Sequence, residues 1–332
     1  MSKISVYVIK PIEITDSMIV SNDFDPSSYL AWDSGTTYNV GDNVVRPNQD
    51  GILHEYRWAQ PTEDSGTYSN LDPAYYYVTN IADIDTDAKT TDELYLCYWL
   101  DLGPTNDWAM FDRLSTAIST ATDQATIEIT PGEIINGVGI VNSDAKKIRI
   151  TATDPTDGIV YDEVFDMLDL TDCIDPYTWL FEPIIYKPGL ATLDIPPYGD
   201  ATIKIIFYAD GEFTIGEIVL GKATEIGNLR YGTTRSTASY TDKSSDDSGL
   251  YSYTKQPGRR VVKYRLRTNT NRLDFLSRRF DELDGIPALW VRKNEDNDDF
   301  NELTVFGSYD DFEIDLAGPV KCNCSLTVEE WV

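Results

Sequence analysis

Four aromatic residues near the start of the chain are the first candidates for a binding site. Trp32, Tyr38, Tyr56 and Trp58 lie within one short stretch. The flat faces of Trp and Tyr stack on sugar rings, while polar groups at the rim bond the sugar hydroxyls. The same side chains are equally suited to the core of a small β module. Two interpretations therefore stay open here, a glycan-binding face and a hydrophobic core.

Carboxylates are the second candidate, because two of them about 5–10 Å apart suffice for glycoside hydrolysis. The chain has 56 Asp and Glu residues, so close pairs arise by chance. Local clusters occur at Asp154, Asp157 and Asp162, and at Asp296, Asp298 and Asp299. Solvated loops are the favoured interpretation and calcium coordination is the alternative, although neither cluster has the EF-hand pattern. A polysaccharide-degrading enzyme is therefore the less favoured function, and we assign no catalytic residue.

Histidine and cysteine offer little for catalysis or metal binding. His54 is the single histidine, which excludes His-rich metal sites and two-histidine mechanisms. Cys97, Cys173, Cys322 and Cys324 are too scattered for a zinc site, although the last two share one face if their segment is a strand. Motifs of the types GxxxxGK[ST], GxGxxG, HExxH and GxSxG are absent from the sequence. We therefore predict a non-enzyme with no metal site and no cofactor.

The charge of the chain is strongly negative and unevenly distributed. The net charge is −29 and the pI is about 4.2, which argues against non-specific nucleic-acid binding. Residues 1–229 carry −26 of this charge and residues 230–332 only −3. The shift predicts a boundary near Gly227–Gly232.

A basic strand stands out in the nearly neutral last third. Its cations are Arg259, Arg260, Lys263, Arg265 and Arg267. Nucleic-acid contact is disfavoured because only Tyr264 is interleaved as a stacking aromatic. The strand instead predicts docking onto an acidic surface, either of a partner or another copy, or of the acidic first two zones of the same chain.

The hydrophobic patterns predict a mainly β fold in three domains. Residues 1–125 form a small β module with an acidic insertion at 62–92. Residues 126–226 show alternating strands separated by Gly, Pro and Asp, which is typical of a β-sandwich of jelly-roll type. Residues 227–332 predict an α+β docking or assembly domain, with several strands and one helix.

The predicted helix runs from Asn271 to Leu283. Its apolar stripe is Leu273, Leu276, Phe280 and Leu283. Asn271 is the expected N-cap and Gly285 the expected stop. No secretory signal and no run of about 18 apolar residues occurs. We therefore expect synthesis in a cytosol, reduced cysteines and no membrane insertion.

One stretch resembles the small chitin- or cellulose-type carbohydrate-binding modules. Their pattern of a Trp, a Tyr, Gly-Asp, Val and a further aromatic is matched by Trp32, Tyr38, Gly41-Asp42, Val44 and Tyr56. The match covers under a fifth of the chain, and the insertion at 62–92 departs from the pattern. The resemblance implies glycan binding by these aromatics, and the stacking argument given above adds Trp58 to them.

A broader resemblance is to virion proteins of tailed bacteriophages. The similar segments, spread in order over nearly the whole chain, are residues 99–112, 194–198, 216–221, 227–233 and 306–312, with the closing strand. The resemblance implies a structural protein of the phage tail that is made in the host cytoplasm and assembled in multiple copies. The implied partners are other tail proteins, copies of itself and a host-surface glycan. A glycan-binding adhesin as the primary role is the alternative.

Overall fold

The computed structural model describes residues 4–59, 72–75, 77–78, 99–169, 175–181, 183, 185–245, 251–254, 258–293, 303–316 and 318–331. Strands make up 55% and helices 9% of the structure. The predicted mainly β fold is confirmed. The jelly-roll arrangement of the middle zone stays a prediction. Most of the insertion at 62–92, together with Cys97, Cys173 and the cluster at Asp296, lies outside the described residues.

Within the described ranges, the longest α-helix is the nine-residue helix Leu273–Asp281. The elements of the first part are β1 Ser5–Pro11, β2 Ile19–Asn22, β3 Asn43–Pro47, β4 Leu53–Trp58, β5 Tyr77–Val78, β6 Trp99–Pro104, β7 Ser119–Ile129, β8 Gly137–Ser143, β9 Lys147–Asp154 and β10 Gly158–Asp166. The elements of the second part are α1 Pro176–Phe181, β11 Gly189–Thr192, β12 Thr202–Leu229, β13 Thr234–Ala238, β14 Asp242–Ser245, β15 Tyr251–Thr254, β16 Arg259–Asn269, α2 Leu273–Asp281, β17 Ala288–Lys293, β18 Val305–Asp315 and β19 Lys321–Glu330.

Strand β12 connects the parts of the large sheet. Its first residues pair with β9 on one edge and β7 on the other, its middle pairs with β8, and its last residues pair with β1 and β16. A bulge between Tyr208 and Glu212 interrupts the pairing with β7. Gly211 at this bulge has a φ of +140°, which a side chain would strain. The bulge thus lets one long strand change neighbours without ending.

Six strands close into an antiparallel ring. Their order is β12, β1, β17, β18, β19 and β16, and the end of β12 pairs with β16 at Asn228 and Leu229. The side chains directed inward form one buried cluster, to which α2 contributes Leu276 and Phe280. Phe280 stacks on Phe312 with ring centroids 3.8 Å apart. The ring with α2 packed on it forms a rigid scaffold for the residues on its outer face.

The hydrogen bonding differs from the predicted division into three domains. The boundary at 125/126 falls inside β7, and the boundary at 226/227 falls inside β12. Strand β1, assigned to the first domain, pairs with β12 and β17 instead. Charge and turn patterns report local composition, whereas pairing joins residues as distant as Ser5 and Asn228. The three zones are therefore not separate hydrogen-bonded units.

The predicted helix is confirmed in type and in its apolar stripe. Leu276, Phe280 and Leu283 are buried, and Leu273 packs partly against them. The start differs, because residues 270–272 form a 3₁₀ turn without a side-chain cap and the α-helix begins at Leu273. The end differs too, because the α-helix ends at Asp281, two residues before the predicted Leu283, and a turn then leads to Gly285, which has a φ of +68°.

Candidate functional site

The aromatic group of the first zone forms a hydrophobic core. Tyr38, Tyr56 and Trp58 expose 8%, 0% and 0% of their surface, and they cluster with Val44 and Trp99. The rings of Trp58 and Trp99 meet edge to face, with centroids 4.9 Å apart. Buried rings offer no face to a sugar. The assignment of Tyr38, Tyr56 and Trp58 as glycan contacts is therefore corrected to core packing.

Strand pairing explains this burial. Tyr56 and Trp58 stand two residues apart on β4, so both side chains point to one face, and Trp99 of β6 lies directly opposite Trp58. Trp32 is half-buried, and the guanidinium of Arg46 lies 5.4 Å from its ring centroid. Trp32 is therefore also partly covered, and the four aromatics do not form an open platform.

His54 is held in a hydrogen-bonded chain beside this core. The Oδ1 atom of Asn48 accepts the N–H groups of Asp50 and Ile52 at 2.9 and 3.0 Å, so its amide nitrogen faces His54 Nε2 at 3.2 Å. Nε2 must then accept a hydrogen bond, and Nδ1 donates to Asp101 at 3.0 Å. Hydrogen bonds at both ring nitrogens thus fix the orientation of His54, and we interpret it as a structural residue.

Two of the five predicted docking cations are used inside the chain. Arg260 Nε donates to Glu330 at 2.8 Å. Arg259 lies 3.4 Å from Glu329, and its guanidinium lies 5.0 Å from the ring centroid of Tyr240. These internal contacts neutralise both arginines, so we remove them from the candidate docking surface.

The other three cations form an exposed row. Lys263, Arg265 and Arg267 alternate with buried Tyr264 and Leu266 along β16, so the three charges share the outer face. Within the part of the chain that the structure describes, none of the three forms a salt bridge within 4.0 Å. The sequence predicted these residues, and the structure places all three on one rigid surface.

A groove of about 670 Å³ opens beside Arg265. Arg230 and Tyr231 line one side, and residues of β18 and β19 line the other. Tyr231 is 98% exposed. The groove is polar and carries both signs of charge, so its chemistry suits a charged macromolecular surface better than an apolar small molecule.

A buried carboxyl group was missed by the sequence analysis. Glu217 of β12 is 1% exposed and accepts the backbone N–H of Arg113 at 3.0 Å. Burial, together with the nearby Asp112 carboxylate, raises the pKa of Glu217 well above its ordinary value, and burial raises the pKa of Asp112 to about 6. They line a cavity of about 30 Å³, which has room for roughly one water. Such a cavity does not accommodate a sugar ring, so we interpret the pair as structural.

We expect Glu217→Gln to stabilise the protein by about 1–3 kcal/mol at pH 8. The folded chain holds a proton on Glu217 that the unfolded chain releases as the pH rises above the ordinary pKa of 4.5. Glu217 therefore makes wild-type stability fall with rising pH, and a neutral Gln removes this contribution, whereas Asp112 keeps its own. Urea unfolding between pH 4 and 8 measures the effect. The two proteins should converge near pH 4.

Glu212→Gln is the matched control, because Glu212 lies on the same strand and is exposed. It should leave the pH dependence as in wild type. A Glu217→Gln variant that is less stable than wild type at pH 8 would show that the buried carboxylate is charged and favourable, contrary to this account.

The local acidic clusters act in turns and surface pairs. Asp154 Oδ2 accepts the N–H groups of Thr156 and Asp157 at 2.9 and 3.0 Å. Arg149 binds Asp162 through two hydrogen bonds of 2.6 and 2.7 Å, and hydrogen bonding to Arg149 lowers the pKa of Asp162. Among the described residues, no group of three or more His, Cys, Asp or Glu side chains is arranged to hold a metal ion.

Three exposed aromatic side chains on α1 are the second feature that the sequence analysis missed. Tyr177, Trp179 and Phe181 are 69%, 65% and 70% exposed. The rings of Tyr177 and Phe181, one helical turn apart, lie 4.7 Å apart. The signal in the sequence was a short apolar run, residues 176–181, between acidic neighbours. Such a run is also typical of a buried segment, so periodicity alone could not distinguish exposed aromatics from buried ones.

Cys322 and Cys324 are buried free thiols on the inner face of β19, as their spacing predicted for a strand. None of the helices within the described ranges is long and apolar enough to cross a membrane.

Comparisons of the chain with protein-family models, with curated proteins and with solved structures found no match.

Proposed function

We propose that this protein is a non-enzymatic structural component of a bacteriophage tail that is assembled in multiple copies. The observation that carries the proposal is the exposed row Lys263, Arg265 and Arg267. These cations lie on a rigid ring of strands in a chain with a net charge of −29. An exposed cation row on a strongly acidic molecule is suited to binding a negatively charged protein surface.

The architecture also suits an assembly role. Residues from both ends of the chain meet in the ring, because β1 pairs with β17 and with the end of β12. Closure leaves few free edges and resists local opening. Like-charged copies repel one another over their acidic surfaces, so assembly needs local charge complementarity at specific contacts. The proposed partners are copies of the chain and other tail proteins. The proposed location is the tail of the virion.

Labelling of intact particles tests the proposal. Gold-labelled antibodies against the purified chain should decorate the tails of the phage that encodes it, and quantitative mass spectrometry of purified particles should find several copies per virion. A chain that is made during infection but absent from purified particles would overturn the proposal. Antibodies that have been preadsorbed on the purified chain serve as the control and should not label the tails.

Glycan binding stays as a second candidate, at a different place from the predicted one. The observation in its favour is the exposure of Tyr177, Trp179 and Phe181 on α1, since exposed aromatic faces stack on sugars. A glycan array with the full chain should give signals that Trp179→Ala removes. Tyr253→Ala is the matched control, because Tyr253 is 73% exposed on β15. No signal above background with multimerised protein would exclude this role.

A further inference from the structure

Strands β18, β19 and β16 lie side by side in the ring and present three columns of polar side chains outward. The strand register sets these residues in three rows: Asp311–Thr327–Lys263, Glu313–Ser325–Arg265 and Asp315–Asn323–Arg267. The β18 and β16 members are exposed, and the β19 members are half-buried. The face thus has an acidic column, a neutral column and a basic column.

The neutral strand keeps the opposite charges apart. Neighbouring strands are about 4.8 Å apart, so the acidic and basic columns are separated by roughly 10 Å. In agreement, the three carboxylates and the three cations form no salt bridge within 4.0 Å among the residues that the structure describes. Ser325 Oγ donates to Glu313 Oε2 at 3.1 Å, which holds that carboxylate near the centre of the face. The charges are therefore available to a partner.

This pattern is complementary to itself under one symmetry operation. A two-fold axis along β19, in the plane between two facing sheets, exchanges the acidic and basic columns and keeps each row at its own level. Arg265 then faces Glu313 of the other copy, and Glu313 faces its Arg265. The same holds for Lys263 with Asp311. An isologous contact of this kind uses each complementary pair twice.

We propose that this three-strand face binds a second copy of the same chain through a two-fold axis along β19. The inference rests on the proposed multi-copy function and deepens it by naming the partner and the contact. A uniformly acidic partner would meet the acidic column of β18 as well as the cations, so a partner with alternating columns fits better. Tyr231 stands beyond β16, and the two-fold axis places it beside β18 of the other copy.

Charge reversal at the central row tests this contact. In Arg265→Glu both facing positions become acidic, and in Glu313→Arg both become basic. Each single variant should therefore weaken dimerisation at least about 100-fold, because like charges then face each other twice. Sedimentation velocity over roughly 1–200 μM protein measures the association, first at about 0.05 M salt and then at about 1 M, where screening weakens it.

Mixing the two single variants is the decisive measurement. An Arg265→Glu copy facing a Glu313→Arg copy restores opposite charges at both contacts, so an equimolar mixture should dimerise although neither variant does so alone. The double variant Arg265→Glu/Glu313→Arg should also dimerise with itself. Arg265 and Glu313 are both exposed, so the reversals should leave the fold intact, which circular dichroism verifies.

Lys222→Glu is the matched control, because Lys222 is exposed on β12 away from this face, and it should dimerise like wild type. If both single variants self-associate as strongly as wild type, the proposed face is wrong, while multi-copy assembly stays possible. Wild type that stays monomeric throughout would also overturn the face, whereas the particle labelling decides the proposed function independently. A mixture that fails to dimerise would exclude the two-fold arrangement.

Discussion

Replacing Trp58 with Ala is expected to cost about 3–5 kcal/mol of stability. The side chain is fully buried, lies against Trp99 and belongs to the same cluster as Tyr38 and Tyr56. Trp58 belongs to a small four-stranded sheet with the order β3, β4, β6 and β5. Its removal leaves a cavity that this sheet cannot fill. Urea unfolding followed by circular dichroism measures the loss, and the unfolding transition of the four-stranded sheet should move to lower urea.

Trp179→Ala is the matched control for this change, because Trp179 is 65% exposed. Exposed substitutions usually change stability by less than about 0.5 kcal/mol. The pair of variants separates a core tryptophan from a surface tryptophan. Wild-type stability in Trp58→Ala would contradict the assignment of this aromatic group to the core and reopen its role as a binding face.

Replacing Gly307 with Ala is expected to destabilise the ring by about 3 kcal/mol or more. Gly307 lies in β18 where this strand pairs with Ala288 of β17 on one edge and with Glu330 of β19 on the other. A methyl group at this position would overlap the carbonyl oxygen of Glu329. Backbone atoms paired on both sides cannot move away easily, so the clash must open strand pairing.

Gly199→Ala is the matched control for this change. A methyl group there would meet only Ile134, at 3.9 Å, which is ordinary contact. Scanning calorimetry should show a large fall in the melting temperature for Gly307→Ala and little change for Gly199→Ala. Equal melting temperatures for the two variants would show that β18 and β19 are not packed as closely at this point as the structure has them.

These changes also separate scaffold from surface in the proposed function. The ring that Gly307→Ala disrupts is the scaffold that holds the charged columns in register, and Arg265→Glu alters only the exposed face. A scaffold variant should lose both stability and assembly. A surface variant should lose assembly alone, which identifies the residues that bind a partner.

Local periodicity allowed several elements to be predicted from the sequence. The alternation of Tyr264 and Leu266 with Lys263, Arg265 and Arg267 predicted a strand with cations on one face, and the structure has that arrangement. The stripe of Leu276, Phe280 and Leu283 predicted the helix for the same reason. Side-chain direction along one strand or helix depends on the backbone period, which the neighbouring residues in the sequence reveal.

The aromatic group and the acidic column show where local pattern was insufficient. Trp58 is buried because Trp99, 41 positions later in the sequence, pairs opposite to it. Asp311, Glu313 and Asp315 alternate in the sequence, but only the register with β19 and β16 places them level with the three cations. Neither relation can be read from a single segment, because each depends on hydrogen bonds between distant strands.

The sequence by itself determined the mainly β class and the uneven charge along the chain. These properties depend on composition and on the alternation of neighbouring residues. Only the tertiary structure decided which aromatics are buried, which cations remain unpaired and where Glu217 lies. The physical reason is that burial and pairing depend on the neighbours across the sheet, and β1 finds its neighbours more than 200 residues away, in β12 and β17.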